Sequence, residues 1–192
     1  PNNEKYKKRL APNGEFIITH VSNFRKVKRI EDVVHVFSLV SKTIPVKLVM
    51  VGDGPERNKI ERLCREKLSV NSFTFLGNLK STIEVLNISD VFILPSLKES
   101  FGLAALEAMA SSVPVISTNS GGLPEVIENG ASGFLSNVGD VQDMAKNMMT
   151  LLKDDKTIEN YKKNAFKRAA DFDIQKILPL YENLYQKAVE LT

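Results

Sequence analysis

Cysteine occurs once in the 192 residues, at Cys64, which excludes a disulfide framework and a cysteine-based metal pattern. Long apolar runs are absent, and none approaches the roughly 18 residues that a membrane helix needs. The opening residues carry no apolar core of a secretory leader. Internal repeats and low-complexity tracts are also missing. Charge of one sign is barely in excess: 26 basic residues against 23 acidic ones give a net +3. That balance hints at anionic ligands but is too mild to argue for nucleic acid. With two histidines in the chain, His20 and His35, no Ser-His-Asp set, metal-ligand spacing or paired-carboxylate cleft can be assembled. Gly52-Asp53-Gly54-Pro55 is not the dinucleotide fingerprint, because Arg57 stands where the third glycine would be, and it is far from a P-loop.

What is present is alternation. Apolar, β-rich runs at 16–21, 46–51, 73–76, 91–94, 113–117 and 134–135 predict six strands. Between and after them, helical spacing predicts helices at 30–42, 56–68, 81–88, from Gly102 onward, 123–128, 140–152, 156–169 and 174–191. Pro55 suits a first helical position. Ser81 with Glu84 reads as a capping box, and Asp140 reads as a cap. Strand alternating with helix means parallel strands and right-handed crossovers. The expected fold is α/β: a doubly wound, parallel, six-stranded Rossmann-like sheet with extra C-terminal helices. Residues 1–14 read as a linker or residual segment, 15–173 as the domain and 174–192 as a closing helix. The chain opens on Pro-Asn-Asn-Glu rather than Met, and a piece of a longer protein is expected.

Ligands of such sheets bind outside the carboxyl ends of the strands. The loops there are 22–29, 52–55, 77–80, 96–102 and 117–122. The stretch 96–110 is the densest. Glu99 lies on the turn leaving a strand, and Glu107 lies about two turns into a helix marked by Leu103, Leu106 and Met109. Six helical residues separate Phe101 from Glu107 by ~9 Å, a span suited to two ends of a nucleotide-sugar. The backbone amides of Phe101, Gly102 and Leu103 open that helix and form a ready anion site. The helix is otherwise nearly all apolar, so Glu107 is expected to be buried and to need a partner, either a structural lysine or a ligand hydroxyl.

Loop 22–29 carries Arg25, Lys26, Lys28 and Arg29. Four cations in five residues are either solvated or hold an anion, and two of them could clamp a diphosphate. His20, at the end of the same strand, reads as a satisfied core histidine and His35 as surface or rim. Cys64 reads as a buried, inert thiol. Asp53 either caps a helix or borders a ligand, and Gly121-Gly122 reads as close backbone packing. Phosphate clamps plus hydroxyl acceptors describe a nucleotide-sugar site rather than a hydrolytic one.

Together, Glu99-Ser100-Phe101-Gly102, Leu106-Glu107-Ala108-Met109, Val113-Pro114-Val115-Ile116 and Gly121-Gly122 followed by Pro124-Glu125 resemble the C-terminal donor domain of retaining glycosyltransferases of group 1, family 4. The Gly52-Asp53 turn and Phe75-Leu76-Gly77 match the same family, and the resemblance covers residues 14–190. It implies half of a GT-B fold, whose other Rossmann-like domain would supply the acceptor side. It implies a diphosphate clamp of Lys28 with Arg25, because Asn23 stands where the family carries its arginine. It places Glu99 against the donor sugar, Glu107 on the ribose, and Asn78 and Leu79 beside the base. Ser22, Asn23, Gly52, Asp53, Ser100, Phe101, Gly102 and Leu103 would complete the nucleotide-sugar pocket. The segments 18–29 and 98–103 look similar to family members of the bacillithiol pathway, which join N-acetylglucosamine to L-malate. The implied donor is UDP-N-acetylglucosamine, with no metal or cofactor, no nucleic acid partner, no membrane signal and a cytoplasmic location. The isolated chain would be inactive. The alternatives are a GT-B epimerase or phosphorylase domain and a non-catalytic nucleotide-binding module.

Overall fold

A computed structural model describes residues 3–173, 175 and 176. In chain order the helices are α1 (Asn3–Leu10), α2 (Ile30–Val40), α3 (Arg57–Lys67), α4 (Ile83–Leu86), α5 (Leu103–Ala110), α6 (Leu123–Val126), α7 (Val141–Leu151) and α8 (Asp155–Ala169). The strands are β1 (Phe16–Val21), β2 (Val46–Val51), β3 (Phe73–Gly77), β4 (Val91–Leu94), β5 (Val115–Thr118) and β6 (Gly133–Ser136). They form one parallel sheet in the order β3-β2-β1-β4-β5-β6. This is the doubly wound sheet that the alternation predicts.

Strand side chains alternate between faces. Ile18, Leu48, Met50, Ile93 and Ile116 pack beneath α2, α3 and α7. Phe92, Leu94 and Val115 pack beneath α5, α6 and α8, while Ile17, Val49 and Val51 meet α1 and α4 on that same alternation. Every residue of β2, β4 and β5 is buried; β4 reads as an unbroken apolar run, while β2 carries Lys47 and β5 ends on Ser117 and Thr118.

Several expectations need correction. Residues 1–14, read as a linker or residual segment, hold α1. Its amino-acid pattern is almost wholly polar, with Leu10 the one buried residue, and its anchor is an ion pair. Lys7 Nζ lies 3.0 Å from Asp90, the buried residue before β4. The same carboxylate takes Lys162 Nζ from α8 at 3.2 Å and the backbone N–H of Ile17 at 2.9 Å. The Ser81–Glu84 capping box does not form. Ser81 Oγ instead accepts the Ile83 N–H at 3.4 Å, and α4 is one turn long. Asp140 caps α7 as expected, through the Asp143 N–H at 3.0 Å, and Asp154 caps α8 through the Thr157 N–H at 2.7 Å. The expected closing helix at 174–191 lies outside the described residues apart from 175 and 176. Among the described residues, no helix is long and apolar enough to cross a membrane.

Candidate functional site

The strand order reverses direction between β1 and β4, and the loops leaving their carboxyl ends open a crevice there. Backbone contacts lace this crevice together. The Phe24 N–H donates to Asp53 O at 2.8 Å, and the Glu56 N–H donates to Phe24 O at 2.9 Å, so the loops after β1 and β2 are stitched along a buried ring. Gly52 sits at φ +121°, and a Cβ there would lie 1.8 Å from Ser22 O. Only glycine permits that approach.

The loop after β4 is held from both sides. The Leu97 N–H donates to Val27 O at 2.8 Å. Thr118 Oγ1 and Ser120 Oγ each donate, at 2.7 Å, to Ser96 O and Leu97 O. The Gly122 N–H reaches Glu99 O at 3.0 Å. Gly121, at φ +60°, would place a Cβ 1.8 Å from Glu99 O. The glycine pair therefore packs against the Glu99 loop, as its sequence suggests.

Within this scaffold, Lys28 Nζ lies 2.7 Å from Glu99 Oε2, and Ser96 Oγ donates to the same oxygen at 3.1 Å. Gly102, at φ +88°, precedes α5 without a side-chain cap. The first residues of α5 line the crevice together with Lys28, and no side chain caps their amides. His20 is fully buried behind the crevice, with Nδ1 2.8 Å from Ile93 O and Nε2 2.7 Å from Ser22 Oγ. Burial pushes its pKa down to about 4, against the Ile93 contact that favours the cation, and nearby Lys28 pushes the same way as burial. It is the satisfied core histidine that the sequence suggests. Burial likewise pushes the Cys64 thiol up to about 12, consistent with an inert role.

A cleft of about 540 Å³ gathers most of the expected residues: Ser22, Asn23, Lys28, Gly52, Asn78, Leu79, Glu99, Ser100, Phe101, Gly102 and Leu103. Three fall elsewhere. Arg25 is exposed and does not line the cleft, because it precedes the short 3-10 turn Lys26–Lys28. Asp53 turns back on its own loop, accepting the Gly54 N–H at 2.7 Å and pairing with Arg57 at 3.4 Å. Glu107 is exposed rather than buried, and among the described residues it has no ion pair. The buried side of α5 is Ala105, Ala108 and Met109, while Leu103 is 65% exposed, so the helix is apolar without being enclosed. Glu107 lines a neighbouring groove of about 660 Å³, which shares Leu79 and Thr82 with the cleft.

Val21, Val51, Thr82 and Ala104 also line the cleft. The sequence carries no charge or glycine signal at these positions that would have marked them. Leu79, Phe101 and Leu103 of its lining are exposed, and Phe101 meets Phe172 edge-on at 6.0 Å.

Comparison with known proteins decides the family. The profile of glycosyl transferases group 1 covers residues 2–168. The chain belongs to that family. Its group 1 relatives include the N-acetyl-alpha-D-glucosaminyl L-malate synthase of Bacillus anthracis, 43% identical over 173 residues, or 90% of this chain and 45% of that protein. The sulfoquinovosyl transferase SQD2 of Arabidopsis thaliana is 35% identical over 71% of this chain and 27% of that protein. This group 1 chain thus spans about half or less of the curated relatives it matches. Among solved structures, Anabaena HepE in complex with UDP-glucose superposes with a TM-score of 0.83 at 25% identity, over 96% of this chain and 52% of that one. The C-terminal domain of the Francisella tularensis group 1 protein LpcC superposes with a TM-score of 0.76 at 23% identity, over 86% of this chain and 92% of that one. The fold is the Rossmann-like C-terminal half of a GT-B glycosyl transferase.

Proposed function

We propose that this chain is the donor-binding domain of a retaining group 1 glycosyl transferase that moves N-acetylglucosamine from UDP-N-acetylglucosamine to L-malate. The observation that carries the reading is the juxtaposition of Lys28, Glu99 and the open amides of α5 in one cleft, continuous with the Glu107 groove. The 43% identity to the Bacillus anthracis synthase supports the choice of sugar and acceptor. The nucleoside would lie along the groove, with its ribose hydroxyls on Glu107 and its base beside Asn78 and Leu79. The diphosphate would sit over the α5 amides and Lys28, and the sugar against Glu99.

In the proposed reaction the bond between the anomeric carbon and the diphosphate oxygen breaks, and UDP leaves with the electron pair. The acceptor hydroxyl attacks from the same face and passes its proton to the departing phosphate. Lys28 and the α5 amides stabilise the charge that develops on that phosphate, the term on which such sites chiefly rely. Charge neutralisation by protein groups makes a metal unnecessary in this reading. UDP affinity is therefore expected to be unchanged by EDTA in calorimetry, and loss of binding would assign a metal to the site.

Titration of the chain with UDP and UDP-N-acetylglucosamine tests the reading. No heat and no thermal shift at millimolar ligand would count against it. Mutants then separate the parts. Lys28 is paired with Glu99 in the free protein, so an incoming diphosphate must draw it away. Lys28→Ala is expected to weaken UDP by roughly 1.5–3 kcal/mol, the scale of hydrogen bonds to charged groups, while sparing uridine. Glu99→Gln releases Lys28 and should tighten UDP. Glu107→Gln, at an exposed position, should weaken uridine and UDP alike without lowering the melting temperature. An identical UDP-to-uridine affinity ratio in all three variants would remove the clamp from Lys28.

A further inference from the structure

The contact between His20 and Ser22 fixes where a proton lies in the cleft. Ile93 O is a carbonyl oxygen and can only accept, so His20 Nδ1, 2.8 Å away, carries a hydrogen. In the neutral ring, Nε2 is then a bare lone pair. Its partner at 2.7 Å is Ser22 Oγ, so the serine hydroxyl must donate to it. The ring is neutral at working pH because it is fully buried, with no carboxylate among its contacts and the Lys28 cation nearby. Ser22 lines the cleft, and its one hydrogen is already spent behind it.

We propose that Ser22 is a specificity-determining residue that shows the ligand only lone pairs, and so reads a hydrogen-bond donor, a hydroxyl or amide N–H of the nucleotide-sugar, and not a phosphate oxygen. A phosphate oxygen set against Ser22 Oγ would face lone pair against lone pair. His20 is the positioning residue that enforces this direction. The inference rests on the nucleotide-sugar reading of the cleft, and it divides the labour within it: cations and helix amides take the diphosphate, while Ser22 takes a ligand hydroxyl or amide.

The test compares Ser22→Ala with the parent for uridine, UDP and UDP-N-acetylglucosamine by calorimetry. The net worth of one hydrogen bond corresponds to a loss of about three- to tenfold. That loss is expected either in all three ligands, which places the donor on the ribose, or in UDP-N-acetylglucosamine alone, which places it on the sugar. A loss confined to the two phosphate-bearing ligands with uridine unaffected would overturn the inference, and so would no loss in any. Nitrogen-15 NMR of the ligand-free chain reads the His20 tautomer directly. A protonated Nδ1 with a bare Nε2 supports the lock, and a protonated Nε2 ends it. This last measurement needs no ligand, so it separates failure of the lock from failure of the nucleotide-sugar reading, which shows as a parent that does not bind UDP.

Discussion

Asp90→Ala is expected to destabilise the domain by about 3 kcal/mol, near the lower limit for breaking a buried ion pair. The Asp90 side chain is 4% exposed and has three partners: Lys7, Lys162 and the Ile17 N–H. Removing it leaves the buried N–H without an acceptor, which alone costs about 1–3 kcal/mol. The two ammonium groups add less, because the Lys7 and Lys162 side chains are 41% and 23% exposed and can turn to water. Urea unfolding should show a lower midpoint with an unchanged slope. Lys7→Ala should cost much less, since Asp90 retains Lys162 and Ile17. A cost for Asp90→Ala no larger than that for Lys7→Ala would show that the carboxylate does not anchor α1 and α8 to the sheet.

Acidification is expected to remove a comparable amount through His20. Its pKa lies at about 4 in the folded protein, against 6.5 for the ordinary group. Between those values the unfolded chain binds a proton that the folded chain refuses, so stability falls as pH drops from 6.5 towards 4. Above 6.5 both states are neutral and the contribution is flat. The full difference amounts to about 3 kcal/mol by linkage. The Thr157 N–H holds the Asp154 carboxylate below its ordinary 3.8, so that contribution disappears at lower pH and does not mask the histidine. Urea midpoints measured from pH 7 to pH 4 should decline steeply in the parent and more shallowly in His20→Gln. Parallel curves for the two proteins would place the acid sensitivity elsewhere.

The parts of the architecture written in local pattern were legible. Strand β4 is buried on both faces and reads as an unbroken apolar run, and Gly52 and Gly121 marked turns where backbone meets backbone. The parts that depend on distant partners were not. Helix α1 resembles a polar linker because its anchor, Asp90, lies 83 residues beyond Lys7. Glu107 was expected to be buried because its helix is apolar, but hydrophobicity around a helix does not say which side meets a neighbour. Leu103 spends its apolar surface on the mouth of an open cleft. Arg25 belonged to a basic cluster in which spacing could not separate the cation that turns inward, Lys28, from those that face water. Thr82 and Ala104 entered the cleft through the position of their elements, with no chemical mark of their own.

The register of the central strands bears on how the protein comes into being. Ile18 pairs with Val91 and Thr19 with Phe92, across about 70 residues of intervening chain, whereas β1–β2 and β2–β3 close far shorter loops. Closing the longer loop carries the larger entropic cost, and non-local parallel pairing is slow. A chain emerging from the ribosome can therefore assemble β1 to β3 while β4 is still unmade. Lys28 and Glu99, 71 residues apart, can meet only after that seam closes. The proposed UDP site can then form only in a nearly finished molecule, so in a refolding experiment the UDP binding proposed above should appear with the slowest phase rather than with the first gain of helix.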